Sequence, residues 1–387
     1  MRIIALEREP SSVLGGQELN LVEICSSLAK RGHQINLVYT NEGDLLDNYQ
    51  KFCNSLVKIS RYAPQRKRLT EILDFVKDIA KNVRKIPVSQ DSIIFCNDFS
   101  SVFFGSILSA FRGVPLIHYM QLPGYEFKIK WRPGLDAVNQ FIAVSNQTKD
   151  SWVKLGVPEK KVNVVYNGID TEKFNLSENF LAERSTLGIS EQETIVLYVG
   201  RLNRDKGIEV LLRAFALVLQ NGVNARLLVA GNPVLGPEED SPEARDKYKR
   251  YLEQLATDLD IRKHVSFLGH VANTKALYQA SDITVVPSTW NEPFGRVIIE
   301  SMACGTPAIC SRIGGIVEIV KPFKENWLVE PGNETELMNA LMQIKDWRGK
   351  EPELRQDCRN HVVNNFSSEK MINGIEKVLL NVIEKCH

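Results

Sequence analysis

The sequence predicts an α/β protein made of two doubly wound domains. Three observations carry that prediction. Short apolar runs alternate with longer amphipathic ones, the alternation restarts after a polar stretch near residue 180, and 387 residues exceed what a single core usually organises. In the first half, "RIIAL" (2–6), "INLVYT" (35–40), "SIIFCN" (92–97), "PLIHYM" (115–120) and "QFIAVS" (140–145) read as strands. They are apolar at successive positions, which suits parallel strands covered on both faces. Between them the clearest helix is 17–31, where Leu21, Ile24, Cys25 and Leu28 share a face before "KRGH" supplies a basic last turn and a glycine stop.

The rhythm returns with "TIVLYVG" (194–200), a helix over about 207–220, "RLLVAG" (226–231), a helix around 247–259, "HVSFLG" (264–269), a short helix near 273–280, "ITVVPS" (283–288) and "PAICS" (307–311). The polar, glycine-punctuated stretch 171–192 is the expected linker, between a first domain over 1–170 and a second over 193–367. Residues 368–385 read as one amphipathic helix, and "PVLGPEEDSPEARDKYKR" (233–250) as a polar insertion at a cleft rim.

Composition narrows the partners. A net charge of +1, with 43% hydrophobic and 25% charged residues, gives no reason to expect nucleic acid. The opening apolar run is broken by Glu7, too early for a signal peptide or a membrane span. Seven cysteines without CxxC spacing indicate structural thiols in a reducing compartment, with neither zinc nor a disulfide framework. The basic stretch 61–85 fits either a solvated helix face or a surface for an anionic membrane or acidic acceptor.

Doubly wound sheets bind ligands where loop amides and helix N-termini converge, at the C-terminal ends of their strands. "LGGQE" (14–18) follows the first strand, so Gly15 and Gly16 either bring amides to an anion or sugar or simply make a tight turn; the dinucleotide pattern GxGxxG is absent. "VGRLNRDKGIE" (199–209) lies between a strand and a helix, and its Arg201 and Lys206 are placed to converge on one diphosphate, stabilising a leaving group that gains charge. In "NEPFGRVIIESMACGTP" (291–307), Pro293 suits a first helical position and keeps Glu292 in the preceding loop. Phe294 and Gly295 then offer amides at the helix start. Glu300 follows at roughly 10 Å from Glu292, from about 1.5 Å per helical residue. That separation matches the two ends of a nucleotide sugar better than an acid and base acting on one bond.

Together these stretches, with "IAVSNQTKD" and "VVYNGID" (142–170), "VSFLGHV" (265–271) and "DITVVPS" (282–288), resemble the retaining glycosyltransferases called family 4 of the GT-B class. The resemblance covers nearly the whole chain and implies a GT-B fold, two Rossmann-like domains facing each other across a cleft. It implies that Glu292 contacts donor-sugar hydroxyls, that Phe294 and Gly295 supply amides, that Glu300 holds the ribose, and that Arg201 and Lys206 stabilise the diphosphate without a metal. Gly200 belongs to the same donor loop. Gly15 and Gly16 would approach the diphosphate, Gly269, His270 and Val271 would contact the base, and His118 would lie near the sugar, a partly buried strand-end histidine being its plainer reading.

The implied enzyme moves a hexose or N-acetylhexosamine from a nucleotide-diphosphate sugar, UDP slightly before GDP, to a glycan or lipid-linked sugar in cell-surface or exopolysaccharide synthesis. No cofactor beyond the donor substrate is expected, and the setting is cytoplasmic, with peripheral contact at the inner face of a membrane. A nucleotide-sugar epimerase and a non-catalytic nucleotide-sugar-binding protein are the alternatives. Ser301 departs from the alanine common in the family, and "IHYMQLPG" lacks the usual residue after the histidine.

Overall fold

The computed structural model describes residues 1–12, 15–63, 77–79, 81–124, 132–233 and 242–386. They form two compact units, one of Met1–Asn167 with Glu369–His387 and one of Gly168–Ser368. Each unit is a Rossmann-like α/β domain. Residues 64–76 and 80 of the basic stretch, 234–241 of the polar insertion and Leu14 of the glycine loop lie outside the described residues.

In the first unit, β1 (Arg2–Glu7), β2 (Gln34–Tyr39), β3 (Ser55–Lys58), β4 (Ser92–Cys96), β5 (Leu116–Met120), β6 (Gln140–Ala143) and β7 (Val162–Val164) pair in parallel in the order β3-β2-β1-β4-β5-β6-β7. The order reverses between β1 and β4, which makes the loops after those strands the natural ligand position. Strands β1, β4 and β5 are buried almost throughout, as their unbroken apolar runs require. Glu7, read from sequence as the end of an apolar run, is instead the last residue of β1 and only 2% exposed. The register makes it a neighbour of the β4 end, where polar side chains surround it.

The second unit repeats the plan with β8 (Thr194–Val199), β9 (Ala225–Ala230), β10 (Val265–Gly269), β11 (Ile283–Val286), β12 (Ala308–Ser311) and β13 (Leu328–Val329), ordered β10-β9-β8-β11-β12-β13. Its switch point lies between β8 and β11. The helix Ile208–Gln220 buries Ile208, Leu211, Leu212, Phe215 and Val218, a spacing of three and four residues that puts one stripe on the sheet. Each such side chain contributes about 1.5–3 kcal/mol on burial.

The stretch 171–192 is not a free linker. It lies within the second unit, and Phe180–Thr186 is helical with Asn179 capping the Ala182 amide. Its Arg184 is 2% exposed and binds the carbonyls of Ala280, Ser190, Glu191 and Glu193 and the carboxylate of Asp282. Asp282 in turn accepts from Arg348 at 2.8 Å and from the Ile195 amide at 2.8 Å. One polar centre thus ties the segment to β8 and β11, which is why a polar sequence is ordered there.

The chain enters and leaves the second unit side by side. The Ile169 amide donates to Phe366 and the Ser368 amide to Ile169, at 3.0 and 2.8 Å. The last helix, Ser368–Cys386, buries Met371, Ile372, Ile375, Val378, Leu379 and Val382. Glu376 pairs there with Arg31 and, at 2.6 Å, with His33 of the first unit. Among the described residues no helix is long and apolar enough to cross a membrane, and all seven cysteines are free.

Candidate functional site

The loops after β8, β9, β11 and β12 lock together through backbone, and glycine is what permits it. Gly207 has φ 67°, and a Cβ there would sit 1.9 Å from the Pro287 carbonyl oxygen. A Cβ on Gly231 would sit 1.8 Å from the Gly200 oxygen, and the Gly231 amide donates to Gly269 at 2.7 Å. The Thr289 amide donates to Asp205, and the Gly315 amide donates to Glu292 at 2.7 Å. These contacts bring Gly200, Arg201, Lys206, Gly269 and Glu292, far apart in sequence, to one end of the second sheet.

Lys206 closes on Glu292 as an ion pair, and Ser288 Oγ donates to the same Glu292 oxygen at 2.6 Å. Both charged side chains are largely withdrawn from water, at 14% and 13% exposure. The Lys206 ammonium also stands 4.9 Å from the ring centroid of Trp290, an attraction that fixes its direction. The Arg201 guanidinium is exposed.

The helix carrying Glu300 is Arg296–Ala303, with Gly295 at φ 113° as its N-cap. Pro293 therefore does not take the first helical position. The backbone is held non-helical through Gly295, because the Glu292 carbonyl is engaged by Gly315 and the helix begins only after that turn. Phe294 is 2% exposed and packs edge-on against Phe366 at 5.7 Å, so its ring anchors the turn. Glu300 is gripped by Arg296 Nε at 2.9 Å and by the Tyr278 hydroxyl at 3.0 Å. Burial, then the Glu300 charge, hold the Tyr278 phenol well above its ordinary range, so it stays a donor to that carboxylate. Ser301 is buried and its hydroxyl binds Thr284 and Thr306 at 2.7 and 2.9 Å, which is how a polar residue fits where alanine is common. His270 and Val271 follow β10 on the surface side of the same loops.

Gly15, Gly16 and His118 belong to the first unit. Gly15, at φ 140°, caps the helix Gly16–Lys30. His118 is within β5, 2% exposed rather than a half-open strand end, and Nδ1 faces the Cys96 carbonyl at 3.4 Å. Its ring meets Trp152 and Phe141 edge-on at 5.9 and 6.2 Å. Burial lowers its pKa to about 4. It lines a pocket of about 230 Å³ with Glu7, Asn97, Asp98, Gln121 and Trp152 among others. There Asn97 Nδ2 donates to Glu7 at 2.5 Å, Gln121 Nε2 to Asn97 Oδ1 at 2.6 Å, and Asn20 Nδ2 to Gln121 at 3.0 Å. Burial, then Asp98 and Glu18, push the Glu7 carboxyl well up.

Sequence reasoning did not single out Tyr278, Arg296, Ser288 or Trp290 on the donor side, nor Glu7, Gln121 and Trp152 in the first-unit pocket. Arg296 had a local signal, four residues before Glu300 on one helix face. Ser288 and Trp290 had one too, in the same loop as Glu292; the rest become neighbours only through strand order.

Known proteins agree with this architecture. A model of the family described as glycosyl transferases group 1 matches residues 179–381, and one described as glycosyltransferase family 4 matches 14–173. An uncharacterized glycosyltransferase of Methanocaldococcus jannaschii is 29% identical over 379 residues, 93% of this chain and 90% of that one. The N-acetyl-alpha-D-glucosaminyl L-malate synthase of Bacillus anthracis is 29% identical over 252 residues, covering 65% and 62%. Anabaena HepE, solved in complex with UDP and glucose, superposes with a TM-score of 0.81 at 23% identity, over 98% of this chain and 99% of that one. The chain belongs to the group 1 glycosyl transferases and is a nucleotide-sugar-dependent glycosyltransferase of the GT-B fold, passing a sugar to an acceptor.

Proposed function

We propose that this chain is a retaining, metal-independent enzyme that moves a hexose or N-acetylhexosamine from a UDP-sugar, in preference to a GDP-sugar, to a glycan or lipid-linked sugar acceptor. The observation that carries this reading is the Lys206–Glu292–Ser288 cluster at the second sheet's switch point, beside the separately held Glu300. Glu292 binds the donor sugar's hydroxyls and Glu300 the ribose. Lys206 and Arg201 hold the diphosphate, with amides of Phe294 and Gly295. Gly200 and the loop Gly269, His270 and Val271 border the base, while Gly15, Gly16 and His118 serve from the first unit, the acceptor side.

In the reaction the bond from the anomeric carbon to the diphosphate oxygen breaks and a bond to the acceptor oxygen forms on the same face. The acceptor proton passes to the departing diphosphate oxygen. Catalysis is then positional and electrostatic, with cations taking up charge as it develops. HepE's complex with UDP and glucose supports uridine as the base. The expected setting is cytoplasmic, with peripheral contact at the inner face of a membrane.

Calorimetric titration with UDP, GDP, ADP and their sugar forms, with magnesium and then with chelator, tests the reading. Selective binding of a UDP-sugar that survives chelation and weakens in Glu300→Ala is the expected result. Loss of binding with the chelator overturns metal independence. Absence of binding by every nucleotide overturns the donor site. Retention is tested by the anomeric configuration of the product, and an inverted product sinks the same-face mechanism.

A further inference from the structure

The short turn Arg204–Lys206, which follows β8, is held from two sides. On one side the Asp205 carbonyl accepts from the Thr289 amide at 2.8 Å and the Thr289 hydroxyl at 3.2 Å, joining the turn to the loop that carries Ser288, Trp290 and Glu292. On the other side the Arg204 guanidinium stands 5.3 Å from the Tyr248 ring centroid and 5.2 Å from that of Tyr251. These tyrosines share a face of the helix Pro242–Asp258, and their rings stack at 6.1 Å with 20° between the planes. Glu209, in the first turn of the helix Ile208–Gln220, ties the group together. Its carboxylate accepts from Arg204 Nη1 at 3.1 Å and from the Tyr251 hydroxyl at 3.3 Å. The Arg204 side chain is 72% exposed, and an exposed ion pair by itself contributes little. What sets this one apart is the ring pair, because Tyr248 is 8% exposed and gives the guanidinium a fixed seat.

We propose that Arg204 is a positioning residue for Lys206, seated on the Tyr248 and Tyr251 rings and oriented by Glu209, and that it serves the leaving group rather than the sugar. The inference rests on the reading above in which Lys206 takes up the charge of the departing diphosphate, and it names what fixes that cation in place. Lys206 pairs with Glu292 and faces the Trp290 ring, so both of these contacts draw its ammonium toward one loop. The position of the turn then decides how well the same ammonium also meets a diphosphate oxygen. Thr289 holds one edge of the turn and Arg204 the other, two residues before Lys206. Arg204 spends its own charge on Glu209 and the two rings, so it acts through Lys206 and not on the diphosphate directly. Attraction between charges depends on their separation, so a loosened turn costs most in the state that carries most charge. That state is free UDP, whose terminal phosphate is ionised where a UDP-sugar has it esterified.

The test is calorimetric titration of the full chain with UDP and with UDP-glucose, UDP-N-acetylglucosamine and UDP-galactose. In Arg204→Ala the affinity for UDP should fall about three- to tenfold, while that for the UDP-sugars falls by less than about twofold. Tyr251→Leu, at a residue 38% exposed, should reproduce the split in smaller measure, and Tyr251→Phe, which keeps the ring, should restore most of it. In a Lys206→Met background, Arg204→Ala should change nothing further. Unchanged UDP affinity in Arg204→Ala overturns the proposal. So does an equal loss for UDP and the UDP-sugars, which is what a merely structural role would give, and so does a full Arg204→Ala effect in the Lys206→Met background. The Lys206→Met variant alone separates the two readings. If it binds UDP as the parent does, the leaving-group reading fails. If it binds UDP weakly while Arg204→Ala is silent, this inference alone fails. A parent that does not bind UDP and at least one of the three UDP-sugars overturns the donor site and this inference with it.

Discussion

Both sheets place loops where their strand order reverses, between β1 and β4 in the first unit and between β8 and β11 in the second. They furnish that position differently. In the second unit Lys206 meets Glu292, and Arg296 meets Glu300. In the first, carboxyl groups crowd one another and His118 Nε2 and Asp98 Oδ2 have no partner. Opposite charges already in place suit a ligand that carries both an anionic and a hydroxylated end. Buried polar atoms without partners, beside carboxyls that burial raises, make the first position chemically different. The same topology can therefore serve two chemistries, and side chains at strand ends decide which.

Lys206→Met breaks the comparison where it is strongest. It removes the cation from the paired site and leaves Glu292 with Ser288, so transfer should fall about 10²–10³-fold, read as nucleotide release. A rate within threefold of the parent would remove Lys206 from the chemistry. On the first-unit side, His118 is held at about 4, below its ordinary 6.5, so the unfolded chain takes up this proton first as pH falls. The stabilisation is whole above pH 6.5 and is lost as pH falls to about 4, on the order of 3 kcal/mol in all. Denaturant unfolding of His118→Phe across that window should show a flatter pH dependence than the parent. An unchanged slope would place the titration elsewhere.

Glu300→Gln keeps an oxygen for Arg296 and Tyr278 but loses the charge. Donor affinity measured by calorimetry should weaken roughly 10–100-fold, the range for hydrogen bonds to a charged group. Unchanged affinity would detach Glu300 from the ribose. The smallest effect is expected from Glu7→Gln. A carboxyl held above its ordinary 4.5 costs stability as pH rises past that value, so the glutamine variant should melt higher than the parent at pH 8 and converge with it in acid. A lower melting temperature at pH 8 would mean that the Glu7 charge supports the first unit.

Interior strands were legible in the sequence because burial on both faces leaves no polar alternation, as in β4 and β5. The edge strands β3 and β7 were not, since their residues are half-buried or exposed and the runs are short. The start of Arg296–Ala303 was misplaced because the proline preference is local, whereas the Gly315 amide that captures the Glu292 carbonyl comes from far along the chain. The Glu292 and Glu300 spacing stood out in sequence. The grip on each carboxylate did not: Ser288 lies in the same loop as Glu292, but Tyr278 and Lys206 arrive on separate elements. Glu7 was the least legible, a carboxylate that looked like the end of an apolar run and lies within the sheet.

The return of Glu369–His387 to the first unit makes the second unit an insertion in the first. During synthesis, the second unit's chain is complete before the helix that covers Val165 and pairs with Arg31 has been made. At about 5–20 residues per second the ribosome spends roughly 10–40 s on the intervening stretch. Through that interval the first sheet stands without its last helix. The unit that begins first is therefore the one that finishes last, and the apolar surface awaiting Met371, Ile375 and Leu379 is where a nascent chain of this protein is most exposed to misassociation.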